Sequence, residues 1–157
     1  MSTKLTNEQQ ARKDWLSVLA MADKARLREI WEGLDDAPSV QFRREPEIGL
    51  AMVRGRAGGT GGAFNLGEVS VTRCVVSVHD SQSGKRIDGV SCIAGRDKLR
   101  AELVAKLDAL FQDSALGPAA REAALSILKA DRESLLQNRG SEAASTKVDF
   151  FTMERGH

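Results

Sequence analysis

Tyrosine is absent from this 157-residue chain, and two Trp and five Phe make up its whole aromatic content. That scarcity removes the stacking platforms on which single-strand nucleic-acid binders rely. Positive charge is not in excess either, with 23 Lys plus Arg set against 22 Asp plus Glu, so counterion release from a nucleic-acid backbone has little to work with. The only two cysteines, Cys74 and Cys92, lie inside apolar, strand-like runs. They read as small core residues and exclude a disulfide framework. No stretch approaches the roughly 18 apolar residues of a membrane span. The polar start, Met1 to Gln10, has neither the apolar run of a signal peptide nor the Arg-rich character of a transit peptide. The expected location is the cytoplasm, with no membrane and no nucleic acid among the partners.

What is present is an ordinary globular composition, 41% hydrophobic and 29% charged, in a length that suits one domain with a proper core. Thr6 and Gln9 form a capping-box pattern ahead of Trp15, Leu16, Leu19 and Ala22 at helical spacing, which predicts a first helix. Asp23 can cap a second, with Leu27, Ile30, Trp31 and Leu34 on its apolar stripe and Gly33 at its end. From residue 39 the period changes. Short β-prone runs at Ser39–Arg43, Ile48–Arg56, Val69–Val78 and Val90–Ala94 predict about four strands. Pro46 is expected to break the first from the second, the glycine-rich Gly55–Gly67 to separate the second from the third, and Asp80–Lys85 to form a hairpin loop. In the third run alternation slips near Thr72 and Arg73, as a bulge or burial on both faces would produce. Asp97 caps a third helix carrying Leu99, Leu103, Leu107, Leu110 and Phe111 on one stripe. Gly117-Pro118 opens a fourth, with Leu125, Ile127, Leu128, Leu135 and Leu136 as its apolar residues and a stop at Gly140. The expected fold is α+β: an antiparallel meander flanked by N-terminal and C-terminal helices on one face, the other face left for a partner. Residues 1–157 are read as one domain, with 141–157 as a C-terminal docking tail.

Few residues are candidates for chemistry. Closely spaced glycines from Gly55 to Gly62 can wrap an anion, but no Gly-Lys-Ser/Thr follows, and Phe64 stands where the last glycine of G-x-G-x-x-G belongs. The stretch is a connector or a contact for a ligand or partner. Gly95-Arg96-Asp97-Lys98 places two cations and free backbone donors near a helix start, which suits a phosphate; the alternative is that Asp97 caps and Arg96 pairs with an acid. Arg54, Arg56 and Arg73 join this corner if the strands bring them there. Cys74, His79, Cys92 and His157 have no metal-ligand spacing, and neither cysteine has a base beside it. No catalytic set and no metal or cofactor site is expected. After a polar stretch, Phe150, Phe151 and Met153 form an apolar tail that must be buried against its own domain or another chain.

Separated blocks of this sequence, in order, resemble the G subunit family of the bacterial carbon-phosphorus lyase system. They are Arg12-x-x-Trp15-x-x-Val18-Leu19-Ala20; Glu47-x-Gly49-Leu50 leading into Arg56-x-Gly58-Gly59-Thr60-Gly61; Thr72-Arg73; Gly95-Arg96-Asp97-Lys98-x-x-Ala101-Glu102 with Asp108-Ala109-Leu110; and Val148-Asp149-Phe150-Phe151-Thr152-Met153-x-Arg155-Gly156. Residues 112–145 carry little of the likeness. The resemblance implies a cytoplasmic assembly of G, H, I and J chains, two of each, that obtains phosphorus from phosphonates. It implies that the G chain, with the H, I and L proteins, supports transfer of methylphosphonate to the ribose of ATP with release of adenine. By the same resemblance the nucleosidase-type chemistry belongs to the I subunit and the radical iron-sulfur step to the J subunit, with no catalytic residue in G. The expected partners are the I subunit foremost, then H, J and a second copy. The expected site residues are Arg56, Arg73, Arg96 and Lys98 near substrate anions and Phe150, Phe151 and Met153 at a partner. The alternative reading is a stand-alone nucleotide- or phosphate-binding module built on the Arg-Asp-Lys corner.

Overall fold

The computed structural model describes residues 5–145. Helix α1 (Asn7–Met21) starts where Thr6 and Gln9 close a reciprocal capping box, and α2 (Lys24–Glu32) starts at Asp23, whose carboxylate accepts from the Ala25 N–H. Three antiparallel strands follow in sheet order β1-β2-β3: β1 (Gln41–Arg56), β2 (Ala63–His79) and β3 (Arg86–Ala94). Then come α3 (Lys98–Phe111), capped by Asp97, and α4 (Gly117–Ser145). The expected α+β meander is present.

The strand count is three rather than four, because Pro46 does not break the chain. It lies inside β1, between Arg44 and Glu47, where the register with β2 skips. On an edge strand at an irregularity, a residue without an N–H costs little. The glycine-rich stretch is shortened for a related reason. Pairing runs out to Arg56 opposite Ala63, so only residues 57–62 turn, with Gly58 at φ 58° and Gly59 at φ 78° in the left-handed region that L side chains avoid. The slip near Thr72 is burial on both faces: β2 and β3 pair without a break from Val71 to His79.

Cys74, Val76, Val78 and Ile93 face the helices and form the core with Leu19, Leu27, Leu103, Leu107, Leu110 and Phe111. Gly89 is needed on this face: a Cβ there would lie 2.6 Å from the Ala109 backbone nitrogen in α3. In β3, Gly89, Ser91 and Ile93 are buried while Val90, Cys92 and Ala94 are exposed. Along β3 the helices thus cover one sheet face, while on the central strand Val71 and Ser77 of the other face are buried as well.

One expectation for α4 changes. Gly140 does not end the helix, which continues to Ser145; one helical glycine costs only about 1 kcal/mol. The helix meets the core through Ala124 and Leu128, while Leu135 and Leu136 are exposed. The two leucines line a groove of about 410 Å³ against Met21 and Arg26.

Candidate functional site

Three tight side-chain clusters hold the frame, and they join sequence blocks that lie far apart. Asp108, fully buried on α3, accepts from Arg12 Nη2 at 2.7 Å and Nε at 3.2 Å, from Trp15 Nε1 at 2.8 Å and from the Val90 N–H at 2.9 Å. Trp15 also meets the Phe111 ring edge-on, centroids 6.1 Å apart. Thr72 donates its hydroxyl to the Gly95 carbonyl at 2.8 Å, and the Gly95 N–H donates to Ser70 O at 2.8 Å, fixing the turn into α3. Asp80 and Asp113 interlock the β2–β3 loop with the α3–α4 turn. Asp80 accepts from the N–H and hydroxyl groups of Ser83 and Ser114, and Asp113 from those of Ser81 and the N–H groups of Ala115 and Leu116. The donors from Ser83 and Ser114 hold the Asp80 carboxyl far below the usual carboxylate range. Burial pushes the Asp113 carboxyl up, but its hydrogen bonds from Leu116, Ser81 and Ala115 together prevail, and the net direction is down.

The sequence-predicted cations fall into two groups. Arg96 and Lys98 are exposed in the turn at the start of α3, and neither forms an ion pair among the described residues. Asp97 between them is occupied: it caps through the Arg100 N–H at 3.0 Å and pairs with Lys24 at 2.8 Å. The Lys24 contact foremost, then the Arg100 N–H, lowers its pKa. Arg73 lies opposite Glu47 and Cys92, two positions from the end of the β2–β3 pairing at Val71 and Ala94, and its guanidinium passes over Gly49.

Arg56 is elsewhere. The β1–β2 pairing continues for seven residues past Gly49, a rise of about 23 Å, so Arg56 sits at the tip of a two-stranded ribbon, where Nη1 donates to Gly61 O at 3.3 Å. Arg54 precedes it by two residues, hence on the same face of β1. Phe150, Phe151 and Met153 lie outside the described residues. Among the described residues no group of three or more His, Cys, Asp or Glu could hold a metal ion, and no helix is long and apolar enough to cross a membrane. Cys74 is buried and its thiol is pushed up to about 11, chiefly by desolvation, which works against a thiolate nucleophile.

The feature that sequence reading missed is the ribbon's surface. Leu50, Met52, Phe64, Leu66 and Val69 are all exposed on it, Leu50 at 57% and Leu66 at 61%. Uncovered apolar area of this kind marks an interaction site. Among the described residues, a three-stranded sheet backed by helices with a projecting apolar ribbon defines a class: a small α+β protein with apolar surface to offer a neighbour. The comparisons with known proteins are more particular. Residues 10–156 match the family model described as phosphonate metabolism protein PhnG. A relative from Rhizobium meliloti (strain 1021), the alpha-D-ribose 1-methylphosphonate 5-triphosphate synthase subunit PhnG, is 41% identical over 145 residues, covering 92% of this chain and 89% of that one. The chain belongs to the PhnG family.

Proposed function

We propose that this chain is an accessory, non-catalytic subunit of a ribose 1-methylphosphonate 5-triphosphate synthase, supporting transfer of methylphosphonate to the ribose of ATP with release of adenine during phosphonate catabolism. The observation that carries the reading is the 41% identity, along nearly the whole of both chains, to a protein named as a subunit of that synthase. The apolar ribbon, exposed among the described residues, supports it, because a subunit needs surface to give to its neighbours. The I subunit is the foremost partner, with H, J and a second copy in the same cytoplasmic assembly. The C-terminal segment with Phe150, Phe151 and Met153 docks on a partner as an aromatic anchor.

The test is coexpression with the I subunit, size exclusion, and an adenine-release assay with ATP and methylphosphonate, with and without this chain. A coeluting complex that needs this chain for transfer is the expected result. A monomer that ignores the partner and binds nucleotide by itself overturns the reading in favour of a stand-alone binding module. Deleting residues 148–157 should lower coelution; an unchanged complex rules out the tail as an anchor.

Arg73, Arg96 and Lys98 are proposed to lie near substrate anions in the assembly. Their support is that Arg96 and Lys98 are exposed without ion-pair partners among the described residues, so their charge is free for charge-assisted contacts. Arg96→Ala with Lys98→Ala should lower transfer in an intact complex, and unchanged kinetics would sink this part.

A further inference from the structure

Strand β3 stops at Ala94, opposite Val71, while β1 and β2 run on together to Arg56 and Ala63. An isolated two-stranded ribbon is marginal in water. This one nevertheless places large apolar side chains on both faces. Paired residues share a face, so Leu50 and Met52 lie on the side of Thr72, and Val69 lies on the side of Val71; Leu66, which overlies Gly55, belongs to that second side with Phe64. The usual edge guards are confined to the base of β1, in Arg43, Arg44, Glu45, Pro46 and Glu47, and are missing from residues 48–53. Ile48, Leu50, Met52, Val53, Phe64, Leu66 and Val69 are each 36–61% exposed, a clustering of apolar surface that a single projecting ribbon does not need for its own stability.

Charge is distributed differently from apolar surface. Along one face of β1 the order is Ile48, Leu50, Met52, Arg54, Arg56: an apolar shank ending in two guanidinium groups. Arg54 forms no ion pair among the described residues, and Arg56 gives one N–H to Gly61 O. The tip holds a shallow concavity of about 470 Å³ lined by Arg54, Gly55, Arg56, Gly59 and Ala63. The Thr60 and Gly61 N–H groups both bond to the Ala57 carbonyl and close the turn, so the two arginines are what the tip offers an anion. A shank buried in a neighbour carries these cations in with it, and a buried guanidinium without a counter-charge is strongly unfavourable.

We propose that the β1–β2 ribbon is an arm that inserts into an apolar-walled cleft of a neighbouring synthase subunit and brings Arg54 and Arg56 onto the phosphate groups of the substrate bound there. The inference rests on the subunit reading and extends it, making the arginines substrate-binding residues supplied in trans. They compensate negative charge on a triphosphate, the group that the related synthase's product carries.

Two variant pairs in the coexpressed complex test it, each first checked for an unchanged thermal melt of this chain. Leu50→Asp with Leu66→Asp should abolish coelution with the partner, while Arg54→Ala with Arg56→Ala should leave the complex intact and raise KM for ATP at least roughly tenfold. Arg54→Lys with Arg56→Lys should recover part of that loss. Coelution of the shank variant overturns the insertion. Dissociation of the tip variant means that the arginines face acids of the partner instead, and unchanged kinetics in an intact complex means that they face no substrate; either overturns the proposal. If the wild-type chain itself fails to coelute, the subunit reading fails first, and the two failures are distinguishable.

Discussion

Replacing Asp108 by Ala should unpin helix α1 from the sheet, and the structure sets the size of the effect. The carboxylate is fully buried and takes donors from three elements: Arg12 and Trp15 on α1, Val90 on β3, and Gln112 just past α3. Its removal leaves the Trp15 indole N–H buried without an acceptor, takes the carboxylate from the part-buried Val90 N–H, and leaves Arg12 with only the Asp88 carbonyl at 3.1 Å. Breaking a buried pair costs about 3–5 kcal/mol, and because the Arg12 side chain is 33% exposed and can recover water, the lower end applies. For a chain of this size about 3 kcal/mol corresponds to a fall of roughly 6–12 °C in Tm. Urea unfolding followed by tryptophan fluorescence measures it, since Trp15 is itself a partner of the lost group. Asp108→Asn, which keeps one acceptor but turns an NH2 toward the donors, should fall between wild type and Asp108→Ala. A double-mutant cycle with Arg12→Met should show coupling of at least roughly 0.5 kcal/mol. Additive effects, or a loss below about 1 kcal/mol for Asp108→Ala, would refute the reasoning.

Further outcomes follow from other contacts. Gly89→Ala should destabilise by about 1–3 kcal/mol, because the new methyl meets α3 backbone 2.6 Å away at Ala109; a Tm equal to wild type would show that helix and sheet can separate freely there. Asp80, Asp97 and Asp113 all have carboxyls held below the ordinary range, so the folded state binds fewer protons than the unfolded one near pH 4. Their stabilisation is therefore complete above about pH 5 and is lost as pH falls through the folded values. Urea midpoints between pH 7 and pH 2.5 should decline in the acid range, less steeply in Asp113→Asn, and a flat profile would count against the clasp. Cys92 is exposed and Cys74 is buried with its thiol pushed up to about 11, so a thiol reagent should label Cys92 in the native chain and Cys74 only after unfolding. Rapid native labelling of both would contradict the packing.

Local chemistry was legible in the chain before any coordinates. Thr6, Asp23 and Asp97 announce their helices because a cap needs only the next three residues, and the helical stripes and β-prone runs need only their own period. The resemblance carried by separated blocks was also legible, and it led to the family. What the sequence could not decide was how those blocks meet. Arg12 and Trp15 reach Asp108 across 96 and 93 residues, and Thr72 reaches Gly95 across 23, distances over which no local rule operates. Pro46 looked like a break because its missing N–H matters in a central strand; only the sheet order shows that β1 is an edge, where it does not. Arg56 and Arg96 looked like one candidate site because charge alone joins them in a sequence. The ribbon separates them by roughly 20 Å, since β2 outruns β3 by eight residues and strand pairing converts that excess into length.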